Sequence, residues 1–159
     1  MTIGIMSVNA CYGGTAALLN SVAWMESSAW DGRYAIVIMT DYAVYPEGAA
    51  RATGGAGAVA LLIAPKAAIT LEPVRSSFMD DVYDLYKPDL RSDYPVFDRE
   101  EVTNTYLDCL SNCYKLLKDK YSKIYKEVLS VHSFDSIVFH SPYKKLVFKA
   151  FLKLCHLDL

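Results

Sequence analysis

The chain has 159 residues, of which 53% are hydrophobic and 21% charged, with a formal net charge of −2. This balance suits a packed globular domain, or part of a larger one, and argues against disorder, collagen and coiled coil. Near-neutral charge gives no footing for nucleic acid. No apolar run reaches the roughly 18–20 residues of a bilayer span, and no basic segment followed by a long apolar one marks a secretory leader.

The chain opens with a short apolar run, Thr2 to Val8, which reads as a buried strand ending at Asn9-Ala10-Cys11. Tyr12-Gly13-Gly14 reads as a tight turn, and Thr15 to Met25 as a helix apolar on nearly every face and therefore internal. Trp30-Asp31-Gly32 marks a turn. Tyr34 to Met39 is a continuous apolar strand, expected to be buried on both faces as in a layered α/β protein. Gly54-Gly55-Ala56-Gly57 leads into another predicted buried strand, Val59 to Ile63, stopped by Pro65.

Between Glu72 and Glu101 nine carboxylates stand against four basic residues, with several tyrosines and three prolines. The aromatics need a surface to pack on, so this stretch is predicted to be an ordered excursion rather than a linker. Thr103 to Leu129 carries the clearest helical period, with Tyr106, Leu110, Cys113, Leu117, Tyr121, Ile124 and Val128 on one stripe. A short strand is predicted over Ser136 to Phe139. A last helix follows, with Ser141 as N-cap, Pro142 in first position and Val147, Ala150, Phe151 and Leu154 as its apolar stripe. The three stretches are thus 1–70, 71–102 and 103–159.

Cys11, Cys109, Cys113 and Cys155 match neither a disulfide framework nor a zinc site, which points to a reducing compartment, the cytosol by default. Cys11 is the pointed position. At the mouth of a helix, a thiol meets the positive end of the dipole and unpaired N–H groups, both of which favour the nucleophilic thiolate. Gly13 and Gly14 would let a thioester approach. The alternative is a small core cysteine with glycines for close packing. His140 ends a predicted strand, the place where open α/β sheets put their sites, yet a histidine there also serves as a cap or a satisfied core residue. Lys145 and Lys149 share a face near a helix start and suit either a phosphate contact or a solvated surface. Thr53-Gly54-Gly55-Ala56-Gly57 lacks the lysine of a phosphate loop and precedes a strand rather than following one, so a nucleotide role is rejected. Its glycines are expected to permit a close crossing of chain segments. Asp41, at a strand end, suits a structural or a catalytic role. Cys109 and Cys113 share a helix face and read as core.

Several ordered segments together resemble one family, the hydroxymethylglutaryl-CoA synthases. Asn9-Ala10-Cys11-Tyr12-Gly13-Gly14-Thr15-Ala16 is similar to the family's nucleophile segment, and Phe139-His140-Ser141-Pro142-Tyr143 to its catalytic histidine motif. Trp30-Asp31-Gly32-Arg33-Tyr34-Ala35, Asp41-Tyr42-Ala43-Val44-Tyr45, Arg51 to Ala60 and Tyr83-Asp84-Leu85-Tyr86-Lys87-Pro88 match intervening segments in order. The resemblance spans essentially the whole chain.

It implies a thiolase-like layered α/β fold, incomplete here, with a mixed sheet and buried helices, and a homodimer in the full-length family. It implies condensation of acetyl-CoA with acetoacetyl-CoA and water to give hydroxymethylglutaryl-CoA and CoA, on the mevalonate route to sterols and isoprenoids or in ketone-body synthesis. Cys11 would carry the acetyl group. His140 would position acetoacetyl-CoA and act as acid at its ketone. Thr53, Lys145 and Lys149 would contact CoA or the acyl chain, and Asp41 and Tyr45 would line the acetyl-cysteine. No metal or separate cofactor is implied, nor any nucleic acid or membrane partner. A cytoplasmic location is expected, with a mitochondrial one open.

At Ala49 and Val102 the family commonly has polar, ligand-contacting residues. Its members are about three times longer, and the glutamate that deprotonates the acetyl-enzyme lies upstream of the segment matched here. The isolated chain is therefore expected to lack condensing activity. A ketoacyl-synthase-like condensing enzyme and a non-catalytic interaction module are the alternatives.

Overall fold

The structure, a computed structural model, describes residues 3–159. The chain forms two compact units, Met1–Val44 with Gly54–Leu71, and Tyr45–Thr53 with Glu72–Leu159.

In the first unit a 3-10 turn, Ala10–Tyr12, runs straight into helix α1, Gly13–Met25. Strand β1, Ala35–Ala43, pairs antiparallel with β2, Gly55–Ile63, in a register that sets Val37 against Leu61 and Asp41 against Gly57. Between α1 and β1 the predicted turn forms. Gly32 takes φ +89°, the Asp31 carboxylate holds Arg33, and the Trp30 indole N–H donates to the Arg33 carbonyl at 2.7 Å. The side chain–side chain contact with the Arg33 guanidinium lowers the Asp31 pKa.

Three expectations fail here. The predicted strand Thr2 to Val8 begins outside the described residues, and residues 3–9 form no strand, with Ile5 93% exposed. An apolar run becomes a strand only when a neighbour takes its N–H and C=O groups, and no described segment does so. The helix predicted to be internal has no buried residue. It packs on β1 but meets no second layer within the described residues. The strands expected to be covered on both faces bury Val37 alone, while Ile36 and Ile38 remain exposed.

The glycines also divide differently from the expectation. A Cβ at Gly55 or Gly57 would meet nothing within 4 Å, so no close crossing explains them. Gly14 is the tight one, because a Cβ there would lie 2.8 Å from Met39 Cγ and 2.7 Å from its Sδ. Its missing side chain lets α1 approach β1. Gly14→Val should therefore lower the stability of this unit by about 2 kcal/mol through overpacking. Met39→Ala in the same chain should restore part of the loss. Both tryptophans, Trp24 and Trp30, lie in this unit, so tryptophan fluorescence during urea unfolding reads it selectively. A neutral Gly14→Val variant would show that the close approach constrains nothing.

The second unit is built on helices α2, Arg99–Tyr125, and α3, Lys144–Leu157. α2 starts earlier than its apolar period suggests because Asp98 caps it. The Asp98 carboxylate accepts from the Glu100 and Glu101 N–H groups, both at 2.9 Å, and two acidic residues occupy the first turn, where the helix dipole favours them. The helix ends before Leu129, at Lys126, which takes the left-handed conformation with φ 60°.

The acidic excursion is ordered. It carries the two-residue strands β3, Leu85–Tyr86, and β4, Val96–Phe97, and is tied to α2 by Ser76 Oγ on the Cys113 carbonyl and Lys120 Nζ on the Arg75 carbonyl. Both sheets among the described residues are antiparallel pairs.

α2 and α3 pack together. On α3 the buried residues are Leu146, Ala150 and Leu154, spaced by four. Of the predicted stripe, Ala150 and Leu154 are buried, whereas Phe151 is exposed and Leu146 takes the innermost place. On α2 the buried pair is Ser111 and Tyr114. Both are polar, and both enter the interior because their hydroxyls are satisfied: Ser111 donates to the Leu107 carbonyl, and Tyr114 to the Asp158 carboxylate. Asp158 also accepts from Lys118 Nζ and from the Val131 N–H at 2.7 Å, so one carboxylate ties the end of α3 to α2 and to the segment between them. No helix among the described residues is long and apolar enough to cross a membrane.

Candidate functional site

The residues singled out by the sequence fall in both units. In the first, Cys11 lies in the 3-10 turn that feeds α1 and is exposed. The turn is closed by the Asn9 carbonyl, which accepts from the Tyr12 and Gly13 N–H groups at 3.0 and 2.6 Å. The backbone before Cys11 is not a strand, but the helix mouth that the sequence called for is present. The core alternative for Cys11 does not fit its exposure. Gly14 serves packing against Met39, whereas a Cβ at Gly13 would make only an ordinary contact, 3.6 Å from the Ser7 carbonyl oxygen.

Cys109 is a useful contrast. Burial, and then the neighbouring Cys113 and acidic side chains, push its thiol pKa up, which suits an inert half-buried residue. Asp41 lies inside β1 rather than at its end. It is exposed, and the residue opposite it, Gly57, has no side chain to cover the carboxylate.

In the second unit Tyr45 stands half-buried with its ring edge-on to Phe97, centroids 6.0 Å apart. Thr53 ends a 3-10 turn, Ala49–Thr53, and its hydroxyl donates to the Ala50 carbonyl at 2.6 Å. His140 is exposed in a stretch with no strand. The strand predicted over Ser136 to Phe139 is absent because nothing among the described residues pairs with it, and Val138 is 94% exposed.

α3 begins at Lys144, with Tyr143 rather than Ser141 in the N-cap position and no side-chain cap bond, so Pro142 precedes the helix. This places Lys144 and Lys145 in the first turn and Lys149 one turn on. No acidic residue stands in that first turn. Cations at the positive end of a helix leave a surface that attracts anions. Lys149 and Tyr143 line an open cleft of about 640 Å³ together with Asp98, Arg99 and Thr103 from the start of α2.

The structure thus gathers His140, Lys145 and Lys149 around the start of α3. Three residues that sequence reasoning left in other roles join them. Tyr106 Oη donates to the His140 carbonyl oxygen at 2.8 Å. Thr103 Oγ1 lies 3.3 Å from Tyr143 Oη, and since Thr103 also donates to the Arg99 carbonyl, its lone pair is left to accept from the tyrosine. The available signal was a tyrosine on a largely apolar helix stripe, whose hydroxyl needs a partner once the ring is packed. Among the described residues no group of three or more metal-ligating side chains occurs.

Comparison with known proteins supplies the family. The model for the hydroxymethylglutaryl-coenzyme A synthase N-terminal region matches residues 2–68, and the model for the C-terminal region matches residues 69–159. Hydroxymethylglutaryl-CoA synthase A of Dictyostelium discoideum is 49% identical over 156 residues, which covers 98% of this chain and 32% of that protein. The mitochondrial hydroxymethylglutaryl-CoA synthase of Homo sapiens is 48% identical, over 98% of this chain and 32% of its own length. A solved structure described as MvaS in complex with 3-hydroxy-3-methylglutaryl coenzyme A superposes with a TM-score of 0.85 at 31% identity, covering 96% of this chain and 38% of that one. The chain spans about a third of the length of the curated relatives it matches. Its fold is accordingly an incomplete thiolase-like α/β fold. With family models matched from residue 2 to residue 159 and relatives near 48% identity, this chain belongs to the hydroxymethylglutaryl-CoA synthase family.

Proposed function

We propose that the chain carries the acetyl-accepting and acyl-CoA-binding part of a hydroxymethylglutaryl-CoA synthase. The whole enzyme condenses acetyl-CoA with acetoacetyl-CoA and water, releasing hydroxymethylglutaryl-CoA and CoA. In this reading Cys11 Sγ, as thiolate, attacks the acetyl carbonyl carbon of acetyl-CoA. The new carbon–sulfur bond replaces the one to CoA, and the CoA thiolate leaves and takes up a proton. Once a base has taken a proton from the acetyl methyl group, that carbon bonds to the ketone carbon of acetoacetyl-CoA, which His140 positions, and the ketone oxygen takes a proton from His140 as its carbonyl π bond breaks. Water then releases the product from Cys11.

Lys145 and Lys149 contact the anionic part of CoA, Thr53 contacts CoA or the acyl chain, and Asp41 and Tyr45 flank the acetyl-cysteine. Supply of the mevalonate route to isoprenoids and sterols, a cytoplasmic location and a homodimeric whole enzyme complete the reading.

The observation that supports this most is Cys11 itself. It is exposed and set in the turn that opens a thirteen-residue helix, where the dipole favours a thiolate. Incubating the chain with carbonyl-labelled acetyl-CoA should give acetylation confined to the Cys11 peptide, with release of CoA. Cys11→Ser should take up no stable label under the same conditions. Label that persists in that variant or lies elsewhere, or no label at all, overturns the role of Cys11.

A further inference from the structure

His140 has no sheet to hold it, since residues 134–143 form neither helix nor strand. What fixes this stretch comes from one face of α2. Thr103 and Tyr106 are three residues apart and project side by side. The Tyr106 hydroxyl reaches the carbonyl oxygen of His140 itself at 2.8 Å, and Thr103 reaches the Tyr143 hydroxyl three residues further along at 3.3 Å. The first contact lands on the carbonyl oxygen, two bonds from the Cα that bears the histidine side chain. The second lands at the residue preceding α3. Tyr106 is half-buried, and burial raises the pKa of its phenol, so the hydroxyl keeps the proton it donates.

We propose that Tyr106 is the positioning residue of His140: its hydroxyl pins the main chain at His140 and so sets where the imidazole stands, with the Thr103–Tyr143 contact as the second tie. This rests on the reading that His140 meets acetoacetyl-CoA. It adds that the histidine is aimed from a helix 34 residues upstream rather than by a strand of its own.

Tyr106→Phe keeps the ring and removes only the hydroxyl, so the helix packing survives. In the full 159-residue chain, the amide of Leu146, which donates to the Tyr143 carbonyl at 3.1 Å and is the first hydrogen-bonded amide beyond this stretch, should exchange about fivefold faster in the variant, the factor a typical net hydrogen bond supplies. The carbonyl carbon resonance of His140 should shift with the loss of its donor. Unchanged exchange and an unchanged carbonyl resonance overturn the proposal.

Acetoacetyl-CoA affinity, measured for wild type, Tyr106→Phe, His140→Ala and the double variant, separates positioning from general support. Tyr106→Phe should weaken binding severalfold in the wild-type background and have no effect once the imidazole is gone. Equal losses in both backgrounds overturn the proposal. If wild type binds no acetoacetyl-CoA, the functional reading fails, while the exchange and carbonyl measurements still decide whether Tyr106 holds His140.

Discussion

Leu146→Ala is expected to lower the stability of the second unit by about 3 kcal/mol, the middle of the range for emptying a fully buried leucine site. Leu146 is 0% exposed, with Ala150 equally buried one turn on and Leu154 a further turn away. These three residues, with Tyr114 and Leu129, are the buried hydrophobic residues of this unit among those described. So small an interior offers few neighbours to close over a cavity. Domain stabilities run to only 5–15 kcal/mol, and a thinly covered unit sits toward the low end. The loss should therefore appear as a marked fall in the urea midpoint followed by helical circular dichroism, since α2 and α3 hold 27 and 14 helical residues. Tryptophan fluorescence, which reads the first unit, should move far less. Truncating Phe148, 60% exposed on the same helix, should cost under 1 kcal/mol. Equal effects at the two sites would mean that α3 does not pack through its Leu146 face.

The second large effect is expected at Asp158. Its carboxylate accepts from Tyr114, Lys118 and the Val131 N–H while standing at the C-terminus of α3, where the helix dipole disfavours a negative charge. Burial alone would raise its pKa. The Lys118 ammonium, the Val131 amide and the Tyr114 hydroxyl together outweigh burial and hold it below the ordinary 3.8. Asp158→Ala removes the shared acceptor and leaves the buried Tyr114 hydroxyl and the half-buried Lys118 and Val131 donors without it, an expected loss of about 3 kcal/mol.

The sign of the pH dependence follows from the lowered value. The stabilisation is present above about pH 4, where the carboxylate is charged in folded and unfolded chains alike, and is lost as pH falls through the depressed folded-state pKa. Urea midpoints of the second unit between pH 2 and 6 should fall below pH 4 in wild type and fall less in Asp158→Asn, which cannot titrate. The same data bear on Tyr114, whose phenol is pushed well above its usual value by burial and by the Asp158 carboxylate and so remains a donor across this range. Parallel wild-type and Asp158→Asn curves would remove the carboxylate from the account.

What the sequence makes legible follows the range of the interactions involved. α1, α2 and α3 could be read because helical hydrogen bonds and stripes are local. Even the early start of α2 is encoded in Asp98 followed by Glu100 and Glu101. Strands depend on a partner that no local pattern names. Tyr34 to Met39 and Val59 to Ile63 read as buried strands of a layered α/β sheet and are found as one largely exposed antiparallel hairpin, while the runs at Thr2 to Val8 and Ser136 to Phe139 find no partner and form nothing regular among the described residues. The interior of the second unit was hidden for a related reason. Ser111 and Tyr114 look like surface residues until the acceptors at Leu107 and Asp158 are known. In the candidate site, Cys11 and His140 stood out through their local settings and the family resemblance, Lys145 and Lys149 through helical spacing. Tyr106 did not, because its partner lies 34 residues away in a segment without secondary structure.

The β1–β2 hairpin has a consequence for the chain in solution. Among the described residues each strand has a single hydrogen-bonded neighbour, so two rows of amide and carbonyl groups face outward. Asp41 is the only charged side chain along both strands, and neither strand carries a proline or lysine to discourage stacking. A ribbon of that kind is a ready template for the backbone of another copy, so self-association of the chain is expected to begin at this hairpin, and thioflavin T fluorescence of concentrated, warmed solutions checks it.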